Sequence, residues 1–121
     1  MDSDIDWQEI VYEFVRTIPP GKVMTYGQVA DSIRGVSVTA RMVGSAMSMV
    51  PAGVPWQRVV GTGGHLPIGK RSAELKIVQV NLLKREGVFF RGKENDLVDL
   101  AVSGMGFDEP KLFDLDDDST E

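Results

Sequence analysis

Apolar residues recur at helical spacing from the start of the chain. Trp7, Ile10, Val11, Phe14, Val15 and Ile18 fall on one face, which predicts an amphipathic helix packed on the core. Pro19-Pro20-Gly21 stops it. Lys22-Val23-Met24 is a short extended link, and Thr25 opens a second helix. Thr25 with Gln28 has the capping-box pattern, and Val29, Ala30 and Ile33 form the buried face. Arg34-Gly35-Val36-Ser37 is the turn that follows. A third helix starts with Thr39 as N-cap and runs to about Met49 or Val50, where Pro51 ends it. Val43, Met47 and Val50 share its inner face, with Ala40 and Ala46 beside them. Two short helices joined by a tight glycine turn read as a helix-turn-helix.

The second half alternates compact segments with glycine turns. Trp56, Val59 and Val60 mark a buried segment or short strand within Pro55 to Gly61. Gly61-Thr62-Gly63-Gly64 has the composition of a hairpin or wing turn. Gly69-Lys70-Arg71 is a further loop. A fourth helix is expected from about Ser72 to Glu86, with Leu75, Val78, Leu82 and Leu83 inward. Lys84 and Arg85 in its last turn suit the helix dipole, and Gly87 caps it. Val88-Phe89-Phe90 reads as a short strand. Leu97 to Val102 is an apolar segment of undecided type. The expected fold class is mainly α with small β elements, a winged helix-turn-helix over residues 1–107. An acidic segment follows at 108–121, expected to be disordered from about Leu115.

Charge sharpens this reading. The 121 residues carry a net charge of -5, but residues 14–93 hold twelve bases against three acids. Residues 1–13 hold five acids and no base, and residues 94–121 hold ten acids and one base. A basic body between acidic ends is the electrostatic footprint of phosphate binding, or else a solvated cationic surface. No apolar run approaches the ~18 residues of a membrane span. The acidic start, Met-Asp-Ser-Asp-Ile-Asp, lacks the apolar stretch of a secretory signal. There is no cysteine, which excludes disulfides, thiolate metal sites and a thiol nucleophile. His65 is the one histidine, so neither a metal site nor a cofactor is expected.

The outer face of the third helix is unusual. Arg41 is large, whereas Gly44, Ser45 and Ser48 are small, where a solvated face would carry Glu, Lys and Gln. Small residues allow close approach of another surface. That surface is either the DNA minor groove, about 6 Å wide, or another helix, with Arg41 then in a surface ion pair.

At this point the chain resembles a family. Ile18-Pro-x-Gly21-Lys-Val23-x-Thr25-Tyr26-Gly27-x-Val29-Ala30 resembles the start of the DNA-binding domain of O6-alkylguanine-DNA alkyltransferases. Ala40-Arg41-x-Val43-Gly44 resembles their recognition helix, Pro55-Trp56-Gln57-Arg58-Val59-Val60 their active-site stretch, and Leu82-Leu83-x-x-Glu86-Gly87-Val88 their closing helix. The four blocks keep the family's order over about residues 10–90. The enzymes read Pro-Cys-His-Arg-Val, with Cys as alkyl acceptor. Trp56 stands at the Cys position, as in the alkyltransferase-like branch, and an indole cannot act as a thiolate. Gln57 replaces the His that activates the Cys, a role left empty here.

The resemblance implies a non-enzymatic reader of O6-alkylguanine in double-stranded DNA that flags lesions for nucleotide excision repair proteins. Arg41 would fill the gap left by a flipped nucleotide, and Tyr26 would press on the phosphate. Trp56 would line the pocket, the Val60 backbone would read the guanine edge, and Gln57 would meet the base or its backbone. Thr39, Gly44, Ser45 and Ser48 would face the groove. Lys70 or Arg71 would lie over the pocket or on phosphate. Arg58 and Glu86 would be structural. The implied state is a monomer, in the cytoplasm and nucleoid of a prokaryote or the nucleus of a eukaryote. Taken singly, Tyr26 at a helix start and Trp56 after proline also read as packing residues. The competing readings are a winged-helix transcription regulator or general DNA binder, an enzyme with another acceptor or a glycosylase, and a pure interaction domain.

Overall fold

A computed structural model describes residues 6–105. The acidic segment at 108–121 lies outside the described residues. Helix α1, Trp7–Val15, is capped by the Asp6 side chain accepting from the Glu9 amide. It is shorter than its apolar stripe, and turns carry the chain on to the buried Ile18. Strand β1, Met24–Thr25, runs directly into helix α2, Tyr26–Ser32. Both halves of the expected capping box form there: Gln28 N–H donates to Thr25 Oγ1 at 3.1 Å, and Thr25 N–H to Gln28 Oε1 at 2.9 Å. Helix α3, Ala40–Met47, follows with Thr39 as N-cap. Strand β2, Val59–Val60, then returns parallel to β1, with Met24 opposite Val59 and Thr25 opposite Val60. The helix-turn-helix is therefore the crossover between two parallel strands.

These two-residue strands divide the core. Side chains alternate across a strand, so Met24 and Val59 join Val11, Val15, Ile18, Val29, Val43 and Ala46 on one side. Val23 and Val60 join Leu66, Leu83, Val88 and Val98 on the other. Tyr26 and Trp56 are half-buried against the first cluster.

Several expectations are corrected. The α3 inner face is Val43, Ala46 and Met47, whereas Ala40 is exposed and the helix stops at Met47, short of Val50. The glycines at 61–64 make a 3₁₀ turn at Thr62–Gly64 instead of a hairpin. Gly64 has φ +89° and its hydrogen faces the Val98 carbonyl so closely that a Cβ would collide. Leu66 then turns into the core, and Pro67, which has no N–H to offer a strand, opens a second 3₁₀ turn at Pro67–Lys70. The antiparallel ribbon lies later: β3, Phe90–Arg91, pairs with β4, Leu97–Val98, one or two residues beyond the expected strand. The rest of the 97–102 segment enters helix α5, Leu100–Ser103.

Helix α4, Ala73–Arg85, is rotated from its expected setting. Leu75 and Val78 are exposed, and Gln79 and Leu83 are buried. The cause is polar. Gln79 Nε2 donates to the carbonyls of Gln57 and Val59, at 3.1 and 3.3 Å. These belong to an irregular buried segment that would otherwise leave acceptors unpaired. Among the described residues, no helix is long and apolar enough to cross a membrane.

Helix α3 is also pinned at its C-terminal end. The Tyr12 hydroxyl sits 3.1 Å from the Ala46 carbonyl oxygen and 3.2 Å from that of Met49. Tyr12→Phe should cost about 1 kcal/mol, the net worth of one such bond. A urea titration should show a lower midpoint at unchanged slope; an unmoved midpoint would mean that the clamp contributes nothing.

Candidate nucleic-acid interface

The N-terminal turn of α3 starts at Thr39, whose hydroxyl accepts from the Met42 amide at 3.1 Å. Arg41, Gly44, Ser45 and Ser48 follow at i, i+3, i+4 and i+7, a single stripe along the helix. Arg41 is exposed and makes no ion pair among the described residues. Ser48 donates to the Ser45 carbonyl at 2.7 Å, which turns its hydroxyl back on the helix end. Gly44 is the informative member. A Cβ placed there would have nothing within 4 Å, and its φ is not positive. The fold does not require glycine at this point, yet glycine inside a helix costs about 0.5–1 kcal/mol relative to alanine.

Two members of that stripe, Gly44 and Ser48, help to form one wall of a cavity of about 150 Å³. Gly44, Met47 and Ser48 contribute that wall, Tyr26 stands at the start of α2, and Trp56 and Val59 form the floor. Pro67, Ile68 and Arg71 close the opposite side, and Gln79 reaches in from α4. The lining is mainly apolar. A dry cavity of this size holds a benzene-sized ring, and the mouth is open, so a larger flat ring system has room to protrude. Burial pushes the Tyr26 phenol above its ordinary value.

Of the residues singled out in the sequence, the fold gathers Tyr26, Gly44, Ser48, Trp56 and Arg71 around this cavity. Arg41 stands one turn before Gly44 on the same stripe, and Thr39 and Ser45 are exposed on α3. Lys70 lines a different groove, with His65 and Lys76. The side chains of Gln57 and Val60 do not line the cavity. Val60 is fully buried in the second core cluster. Gln57 is also buried, and its Nε2 donates to Glu86 Oε2 at 2.8 Å. Met47, Val59, Pro67, Ile68 and Gln79 were not foreseen as lining. Met47 and Val59 carry an ordinary core signal, and nothing in the pattern sets Gln79 apart from a surface glutamine.

Beneath the floor lies a charged brace. Arg58 Nε donates to Glu86 Oε1 at 3.0 Å and Nη2 to Oε2 at 2.9 Å, a two-pronged pair. Nη1 donates to the Ile18 carbonyl at 2.8 Å. Burial alone would raise the Glu86 carboxyl. Hydrogen bonds from Arg58, Gln57 and the Gly21 backbone, with the charge of Arg58, outweigh that and hold it below the ordinary 4.5. A lowered carboxyl stabilises the fold above pH 4.5, and that contribution is lost as pH falls through the folded value. Glu86→Gln strands the Arg58 charge with both side chains only 15% and 16% exposed. It should cost about 3 kcal/mol at pH 7 and flatten the acid limb of stability; urea titrations at pH 7 and pH 4 measure both. A variant as acid-sensitive as the parent would remove Glu86 from this account.

Residues 6–88 match the family of the 6-O-methylguanine DNA methyltransferase, DNA binding domain. The DNA base-flipping protein of Vibrio parahaemolyticus is 34% identical over 80 residues, covering 64% of this chain and 76% of its own. Alkyltransferase-like protein 1 of Schizosaccharomyces pombe is 41% identical over 81 residues, covering 64% and 72%. The crystal structure of S. pombe Atl1 with damaged DNA containing O6-carboxymethylguanine superposes with a TM-score of 0.69 at 32% identity, covering 86% of this chain and 95% of that one. The helix-turn-helix fold and these matches agree, and the chain belongs to the 6-O-methylguanine DNA methyltransferase DNA-binding-domain family, on the side of its alkyltransferase-like, base-flipping relatives.

Proposed function

We propose that this protein binds duplex DNA through the α3 stripe, extrudes O6-alkylguanine into the Trp56 cavity and holds it without removing the alkyl group. The observation that carries this reading is Gly44. It lies on the cavity wall where the fold itself has room for a side chain. A vacancy kept at a cost to the helix is explained by an outside surface that needs it, and the minor groove is narrow enough to do so. Arg41, one turn away and without a partner acid among the described residues, enters the base stack and fills the gap. Tyr26 presses on the phosphate of the extruded nucleotide, and Trp56 meets the ring. The guanine edge meets the β2 backbone at Val59 and Val60. Thr39, Ser45 and Ser48 face the sugar-phosphate walls, with Lys70 and Arg71 on phosphate or over the mouth.

Selectivity follows from the lesion. O6-alkylation removes the N1 proton and weakens pairing with cytosine, so extrusion of the damaged base costs less than the few kcal/mol of an intact one. Inserted side chains bend the duplex, and the basic body supplies salt-sensitive affinity. Transfer of the alkyl group needs an activated nucleophile. The chain has no cysteine, and its Trp56 cannot substitute. The bound lesion is handed to excision-repair proteins.

Fluorescence anisotropy with two duplexes, identical except for one O6-methylguanine, tests the reading. The alkylated duplex should bind more tightly, and Arg41→Ala should lose about 1–3 kcal/mol of that affinity, about fivefold or more. Equal binding to both duplexes would leave a general or sequence-specific DNA binder. Gly44→Ala separates function from fold. It should raise thermal stability by about 0.5–1 kcal/mol while weakening DNA binding. Tighter or unchanged DNA binding would deny the glycine its role.

A further inference from the structure

The lesion cavity opens sideways into a wider groove of about 380 Å³. Trp56, Ile68 and Arg71 line both, and Met49 and Leu75 extend the groove along its outer edge. Met49 is 59% exposed and Leu75 43%. An apolar trough with Arg71 on its lining invites an acidic partner that also carries apolar side chains.

The chain supplies such a partner. The last described residue, Met105, is fixed: its N–H donates to the Val23 carbonyl at 2.7 Å, and its own carbonyl accepts from Gln28 Nε2 at 3.3 Å. Gln28 belongs to the first turn of α2, as does Tyr26 on the cavity wall. The following segment therefore starts from the first turn of α2, the turn that carries Tyr26. It reads Gly106-Phe107-Asp-Glu-Pro-Lys111-Leu112-Phe113-Asp114-Leu115-Asp116-Asp117-Asp118. Three apolar side chains, Leu112, Phe113 and Leu115, stand among four aspartates, opposite in charge to the body. Seven residues of chain reach up to about 25 Å, and a short tether gives an effective concentration of about a millimolar.

We propose that Leu112–Leu115 docks in this groove of the same molecule and lays Asp114 and Asp116–Asp118 along the Arg71 and Arg41 side of the cavity. The segment acts as an internal stand-in for DNA phosphate. Its consequence for DNA rests on the function proposed above; its docking does not. DNA and the segment compete for one face, so docking scales down every DNA affinity by the same factor and leaves the preference for damage unchanged.

The absence of cysteine allows a direct test in the full chain without DNA. Phe113→Cys is combined with Leu75→Cys in one protein and with Ile77→Cys in another. Ile77 is on the same helix and 61% exposed, but it lines the other groove. Under mild oxidation the Leu75 pair should form an internal disulfide about tenfold faster, and undamaged duplex should slow it. Equal rates for the two pairs overturn the proposal. So do disulfide dimers formed by Leu75→Cys alone at the same rate, which would give the groove to a second copy. In anisotropy, changing the four aspartates to Asn should tighten binding to damaged and undamaged duplexes alike, several-fold, with an unaltered ratio. No tightening of either overturns the competition, whereas a ratio of one before and after would fault only lesion recognition.

Discussion

The guanidinium of Arg58 joins three stretches of chain that are far apart in sequence. Its fork grips Glu86 at the end of α4, and its remaining nitrogen holds the Ile18 carbonyl beyond α1. Gln57 and the Gly21 backbone complete the satisfaction of the same carboxylate. The floor of the cavity, from Trp56 to Val59, is an irregular 3₁₀ turn and a two-residue strand with few backbone bonds of its own. It keeps its shape because Arg58 holds it from below and Gln79 ties two of its carbonyls to α4. In the enzymes that the chain resembles, the neighbouring His activates a Cys. Here a neutral amide stands in that place and donates to Glu86 as part of the brace.

The opposite wall follows a different logic. α3 is held by its Thr39 cap, by Tyr12 at its far end and by Val43, Ala46 and Met47 in the core. Its outer stripe is small beyond Arg41, which makes no ion pair among the described residues. A protein selected for stability alone would fill Gly44 and pair Arg41. The fold accepts a weaker helix at the point where the proposed function brings DNA close, which links the wall to the braced floor.

Much of this was legible in the sequence where one residue type has one physical meaning. The capping box at Thr25 and the Thr39 cap follow from local chemistry and form as read, whereas α1 and α3 each end a few residues before the proline that was to stop them. The spacing of small residues on α3 marks the stripe in the sequence itself. The failures share a cause as well. α4 was set by its leucines and valines, yet a glutamine took the inward place because two buried carbonyls needed donors. The glycines at 61–64 look like a hairpin, but Leu66 and Pro67 turn the chain into the core instead. Periodicity carries no information about carbonyls on a distant segment, nor about the carboxylate of Glu86 to which Gln57 donates.

The central claim is that a damaged base leaves the duplex and meets Trp56. The chain has two tryptophans, and Trp7→Phe leaves Trp56 as the only one. Its fluorescence can be followed at saturating concentrations of two duplexes that differ only in one O6-methylguanine. Stacking of the extruded ring should quench the emission strongly with the alkylated duplex and leave it nearly unchanged with the intact one. Equal quenching by both, or none with either, would contradict the account.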